Sequence, residues 1–236
     1  MSAKLVYFEG RGRAEIIRII LAVAGVEFTE VNITDKKQWE DMKRDGTLLF
    51  EQVPMLEIDG LNLVQTGAIV RYLARKCNLY GNNNKDSTII DTYYEETREF
   101  YHNTFITMGF VDEAEVLKKT TDQFLPKYLP IYEKVLESSD GKYLVGDTLS
   151  LADLSLLEVL LAIEEYMGMD AFEAYPNLKE YYQDLKSFNK IASFLSGPHR
   201  KKRNDEAYVS NITKIFPFAG QWSYDSLTRI LSPCFD

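Results

Sequence analysis

Met55-Leu56-Glu57-Ile58-Asp59-Gly60-Leu61-Asn62-Leu63-Val64 reads as two short strands around a two-residue turn. Asp-Gly between short apolar runs is among the strongest hairpin signals a sequence carries. Upstream, Leu5-Val6-Tyr7-Phe8 has the pattern of a short buried strand. Ile16, Ile17, Ile20, Leu21 and Ala24 then share one helical face, and Gly25 is placed to stop that helix. Val26 to Ile33 alternates as a second strand, so the first segment is a right-handed βαβ unit. A polar helix is expected over 36–44, and downstream of the hairpin Thr66 opens a helix with Ile69, Tyr72 and Leu73 on its apolar face. The order β-α-β-α-β-β-α, with a hairpin in place of the last crossover, predicts an α/β unit with a mixed four-stranded sheet.

Strand signals stop there. Gly81-Asn82-Asn83-Asn84 is polar and turn-rich, as a linker would be, and the rest reads as helix. Ile89, Ile90, Tyr93, Tyr94, Thr97, Phe100 and Tyr101 recur at helical spacing. The stretch from Phe124 to Leu136 continues in that way, although Pro126 and Pro130 should kink it or end it early. Ser150-Leu151-Ala152-Asp153 is a capping box, with Leu149 and Leu154 at the staple positions. The expected organisation is an α/β domain over 1–80, a linker over 81–87 and an all-α C-terminal domain over 88–218.

The chain has 236 residues, 45% apolar and 27% charged, the composition of a folded globular protein. With 27 Lys+Arg against 36 Asp+Glu its net charge is -9, which disfavours nucleic acid as a partner. Arg200-Lys201-Lys202-Arg203 is the one basic run, and it reads as a solvated stretch before the last helix. Cys77 and Cys234 stand far apart, and His102 and His199 lie in no ligand spacing, so neither a disulfide framework nor a metal site is expected. The start lacks an apolar signal core, and the longest apolar stretch, Leu154 to Ile163, is too short to span a bilayer. A cytoplasmic location is the default.

Four strings together resemble one family. Tyr7-Phe8-Glu9-Gly10-Arg11-Gly12-Arg13-Ala14-Glu15 is similar to the opening of alpha-class cytosolic glutathione transferases. Phe50-Glu51-Gln52-Val53-Pro54-Met55-Leu56-Glu57-Ile58-Asp59-Gly60, Leu63-Val64-Gln65-Thr66 and Tyr143-Leu144-Val145-Gly146-Asp147 follow in the same register. The resemblance runs from about Lys4 to Phe218 and leaves residues 219–236 as an extension of unassigned role. It implies a thioredoxin-like domain that binds reduced glutathione, a helical domain that supplies a pocket for an apolar electrophile, and a homodimer. The implied reaction is conjugation of glutathione thiolate to hydrophobic electrophiles. A carrier of hydrophobic ligands, or an isomerase or peroxidase using the same thiolate, are the alternatives.

The residues at the matching positions suit that chemistry. A thiol with a pKa of about 8.5 is only a few per cent ionised at neutral pH, and lowering that value by about two units takes roughly 2.7 kcal/mol. One hydrogen bond to a charged group supplies about 1.5–3 kcal/mol, and a helix N-terminus adds about 0.3–1 kcal/mol. Tyr7 as donor with Arg13 beside it is therefore sufficient; the plainer alternative for Tyr7 is a satisfied core tyrosine, and for Arg13 a surface ion pair. The resemblance gives glutathione binding to Lys43, Gln52, Val53, Pro54, Gln65 and Thr66, with a cis Val53–Pro54 bond, and Thr66 also suits an N-cap. Glu99 would reach the γ-glutamyl amine across the dimer, Lys127 stands where an arginine is usual, and Phe50 would insert into the partner subunit. Gly67 is the clearest departure, because the family usually carries an arginine there. The implied electrophile pocket is Phe8, Gly12, Phe105, Ile106, Val209, Ile212, Phe216 and Phe218, with the last helix as a lid.

Overall fold

The computed structural model describes residues 2–216. Phe218 and the extension over 219–236 therefore lie outside the described residues. The first unit comprises β1 (Ser2–Tyr7), α1 (Glu15–Ala24), β2 (Glu27–Asn32), α2 (Lys36–Arg44), β3 (Met55–Ile58), β4 (Leu61–Val64) and α3 (Thr66–Lys76). Its sheet has the order β2-β1-β3-β4, with β1 parallel to β2 and antiparallel to β3. In the hairpin Met55 faces Val64 and Ile58 faces Leu61. Asp59 and Gly60 both take positive φ, 54° and 77°, as a type I′ turn demands of its two central residues.

The remaining elements are helical: α4 (Asn84–His102), α5 (Glu113–Lys119), α6 (Leu125–Glu137), α7 (Leu151–Met167), α8 (Pro176–Ser187), α9 (Asn189–Ser196) and α10 (Glu206–Ile215). The expected linker is shorter than its sequence suggested. Asn83 accepts hydrogen bonds from the Lys85 and Asp86 amides, and this cap starts α4 at Asn84, four residues ahead of the expected boundary. α6 does not end early at Pro130; it runs through it to Glu137. The irregularity falls earlier, in a π turn over Thr120–Phe124 just before Pro126 in the first turn of α6.

The capping box forms as read, with the Ser150 amide and hydroxyl both donating to Asp153, each at 2.7 Å. Leu151 to Ile163 of α7 is buried throughout, so this helix is the axis of the helical domain. Helix α1 lies between the sheet and the helical domain and is almost wholly buried. That burial takes in Glu15 and Arg18, both 0% exposed, among its isoleucines.

Candidate active site

β1 ends at Tyr7, and the chain then turns tightly through Gly10 and Gly12 into a short 3-10 turn, Gly12–Ala14, ahead of α1. This turn aims backbone N–H groups at the end of the strand. The Arg13 amide donates to the Tyr7 hydroxyl at 3.0 Å. Gly12 has φ +42°, and a Cβ there would collide with the Tyr7 hydroxyl oxygen. Glycine at position 12 is thus required twice, by backbone angle and by space. The Arg13 carbonyl accepts from the Thr66 hydroxyl at 3.4 Å, joining the first turn of α3 to the Tyr7 turn. Arg13 also lies near His102, whose pKa is pushed down to about 3 by burial and then by the charges of Arg13 and Arg98. His102 is therefore neutral at physiological pH.

The second arm of the site is the run from 51 to 66. Val53–Pro54 is cis, as expected from the resemblance. Gln65 Nε2 donates to Gln52 Oε1 at 2.6 Å, so these two side chains meet. Thr66 is not the N-cap. Gln65 holds that place with φ 71° and gives α3 no side-chain cap, while the Thr66 hydroxyl turns to Arg13. The first amides of this eleven-residue helix thus receive no side-chain cap. Lys43, on α2, reaches Glu51 at 3.1 Å and Glu40 at 3.6 Å and so borders the same run.

Glu99 and Lys127 stand together on α4 and α6. The Tyr128 hydroxyl donates to Glu99 at 3.1 Å, and Lys127 lies 3.8 Å from Glu99 and over the Tyr128 ring. Phe50 is 59% exposed beside Leu49 at 71%, an apolar pair held out into solvent. The departure at Gly67 has a local answer in Arg71, one helical turn on. The Arg71 guanidinium bonds Asp91 at 2.7 Å and also Glu95, lies 5.0 Å from the Tyr94 ring centre, and has Nη1 2.9 Å from the point a Gly67 Cβ would occupy. The space above Gly67 is filled by a cation contributed four residues later.

On the electrophile side, Phe8 and Phe216 pack edge to face at 6.0 Å. Trp39 of α2 closes the cluster at 5.2 Å from Phe216, a partner missed in the sequence. The inward stripe of α10 is Tyr208, Ile212 and Ile215; Val209 is only partly buried and packs toward Gly109. Of the expected stripe Val209, Ile212 and Phe216, Ile212 is buried and the other two are partly buried. Phe105 and Ile106 are buried, but the ring neighbours of Phe105 are Phe100, Tyr101 and Tyr166, all in the helical domain.

Beneath the Tyr7 turn lies a group of charges that the sequence reading passed over. Arg18 bonds Glu15 at 3.1 Å, Glu30 at 2.8 Å and the Gly10 carbonyl at 2.8 Å. Arg200 pairs with Glu15 at 2.5 Å, Lys201 with Glu30 at 3.4 Å, and Arg11 bonds Glu165 and the Lys201 carbonyl. The first half of the basic run is therefore not a solvated stretch; it is drawn inward by buried carboxylates on α1 and β2. Charged residues on the apolar face of α1 were the available sign. Among the described residues, no group of three His, Cys, Asp or Glu could hold a metal ion, and no helix is long and apolar enough to cross a membrane.

Residues 3–75 match the model of the glutathione S-transferase N-terminal domain, and residues 82–198 that of the C-terminal domain. The chain is 40% identical over 220 residues to glutathione S-transferase 3 of Gallus gallus, covering 91% of this chain and 96% of the relative. It is 41% identical over 215 residues to glutathione S-transferase alpha-3 of Rattus norvegicus, covering 89% and 96%. Among solved structures, Na-GST-3 of Necator americanus, described as a monomeric glutathione S-transferase, superposes with a TM-score of 0.74 at 30% identity, covering 86% of this chain and all of that one.

Proposed function

Because the chain belongs to the glutathione S-transferase family and stands with its alpha-class members, we propose that Tyr7 and Arg13 are the groups with which it keeps glutathione sulfur charged for attack on a hydrophobic electrophile. The observation that carries this reading is the Tyr7 hydroxyl fixed at a strand end by the Arg13 amide. That bond uses a lone pair of the phenol oxygen and leaves its proton to donate. Glutathione brings the nucleophile; the chain supplies a donor that favours its ionised form and a site that orients it. The open N-terminus of α3 with Gln65 and Thr66 takes the γ-glutamyl carboxylate. Val53 beside Pro54, with Gln52, takes the peptide, and Lys43 takes the glycyl carboxylate. Phe8, Gly12, Ile212 and Phe216 face the electrophile.

The exposed Leu49–Phe50 pair supports a homodimer, with Phe50 seated in the partner. Glu99 and Lys127 on the outer face of the helical domain would then serve the partner's glutathione. The same reading gives a cytosolic enzyme of two domains.

Tyr7→Phe tests the assignment. Loss of one charge-assisted hydrogen bond, about 1.5–3 kcal/mol, predicts kcat/KM for chlorodinitrobenzene at neutral pH to fall roughly 10- to 100-fold, with glutathione affinity within about twofold. Unchanged turnover overturns the role of Tyr7.

A further inference from the structure

One cavity of the helical domain shares no residue with the site around Tyr7. It measures about 160 Å³ and lies between the loop ahead of α7 and the junction of α8 with α9. Both of its walls are set locally. In the loop, the Tyr143 amide donates to the Gly146 carbonyl at 3.0 Å and Gly146 takes φ 72°. The chain thus returns on itself, with Lys142, Tyr143 and Leu149 lining the cavity. On the other side Phe188 has extended backbone, φ -63° and ψ 122°, which ends α8 and opens α9. Its ring stands at the lip, 41% exposed, with Leu185 buried in the wall. The Tyr181 hydroxyl is already taken up, donating at 2.6 Å to Asp153, the acid of the α7 capping box.

Two charges of opposite sign line this cavity without meeting. The Lys142 ammonium lies 5.6 Å from the centre of the Tyr143 ring, and neither Lys142 nor Asp184 has an ion pair among the described residues. A cation and an anion around two aromatic rings and two leucines match a ligand that carries the reverse pair of charges on one apolar body. We propose that the cavity is a second binding site, which takes an aromatic α-amino acid. The ligand's carboxylate meets Lys142, its ammonium meets Asp184, and its ring lies among Tyr143, Leu149, Leu185 and Phe188. Size agrees with that class. Drug-sized ligands occupy about 300–1,000 Å³, so this smaller space suits a single ring and not a large polycyclic anion. A ligand with one charge would answer only one side. Tyr181 joins the cavity wall to Asp153, which also accepts from the Leu144 and Ser150 amides, so occupancy steadies the loop and the start of α7 together.

The test is a titration of the full-length protein with L-phenylalanine, followed by amide chemical shifts, with phenylacetate and phenethylamine as probes that carry one charge each. L-Phenylalanine should shift amides within 142–149 and 184–188 with a Kd on the order of 1 mM, as a ligand of about a dozen heavy atoms allows. Each exposed ion pair changes affinity by about two- to fivefold, so both single-charge probes should bind that much more weakly. Lys142 and Asp184 are exposed, so Lys142→Met and Asp184→Asn keep the fold. Lys142→Met should weaken phenylacetate and spare phenethylamine; Asp184→Asn should do the reverse. No shift at ten times the expected Kd overturns the site. Equal affinity for all three probes, or variants that weaken both single-charge probes alike, overturns the pairing of charges. Shifts confined to residues around Tyr7 and Gln65 also overturn it, because the amino acid would then be occupying the place assigned to the γ-glutamyl group.

Discussion

The two halves of this region, the Tyr7 turn and the helix packed against it, are built over very different distances in the chain. Tyr7 is held by the amide of Arg13, six residues on, through a turn that two glycines make possible. Tyr208 stands beside it only because the segment leading into α10 is tied down by residues almost the whole chain away: Arg11 to the Lys201 carbonyl, separated by 190 residues, and Arg200 to Glu15, separated by 185. The first half is a local device and needs little from the rest of the fold. The second depends on buried charge, which is stable only while every partner is present. The donor end should therefore be robust, and the helix that covers it should be the end that conditions and mutations can release.

Arg18→Met strikes at the root of that difference. It leaves Glu30 with only Lys201 and His199 and Glu15 with Arg200 alone beneath both halves, and breaking a buried pair in this way costs up to about 3–5 kcal/mol. The midpoint of urea unfolding should fall accordingly; a change below 1 kcal/mol would mean the charges do not hold the segment. Arg200→Ala is narrower. Loss of its bond to a buried carboxylate, about 1–3 kcal/mol, should lower amide-exchange protection in α10 while leaving β1 and the Tyr7 turn protected. Equal loss in both regions would erase the distinction.

Acid gives the smallest and most graded separation. Burial would lift the Glu30 carboxyl, but the charge of Arg18 and hydrogen bonds from His199 and Arg18 prevail and hold it below its ordinary value of 4.5. A carboxylate with a depressed folded value contributes stability above the unfolded value and loses it as the pH falls through the folded one. Stability should therefore decline below about pH 4.5, with α10 loosening before the sheet, and Glu30→Gln should flatten that slope. The check is helix-specific exchange against global unfolding over pH 3–6.

Much of the first domain was legible because its signals are short-range. Asp59-Gly60 fixed a turn through its φ preferences and Gly25 closed α1, and in the helical unit Ser150 with Asp153 likewise opened α7. The misreadings arose where a residue's partner is remote. Thr66 looked like a cap, but its hydroxyl answers Arg13 from another element. Gly67 looked like a loss until Arg71 was seen to occupy the space above it.

From the chain of residues alone came the strand–helix alternation, the hairpin, the helical second unit and the place of Tyr7 at a strand end, all set by backbone preference and periodicity over a few residues. Only the tertiary structure decided that Arg200 and Lys201 turn inward and that Tyr208 is buried where Val209 is only partly so. A charge or a hydroxyl has no fixed direction in sequence; it goes where burial leaves it a partner, and those partners lie on elements that meet only after folding.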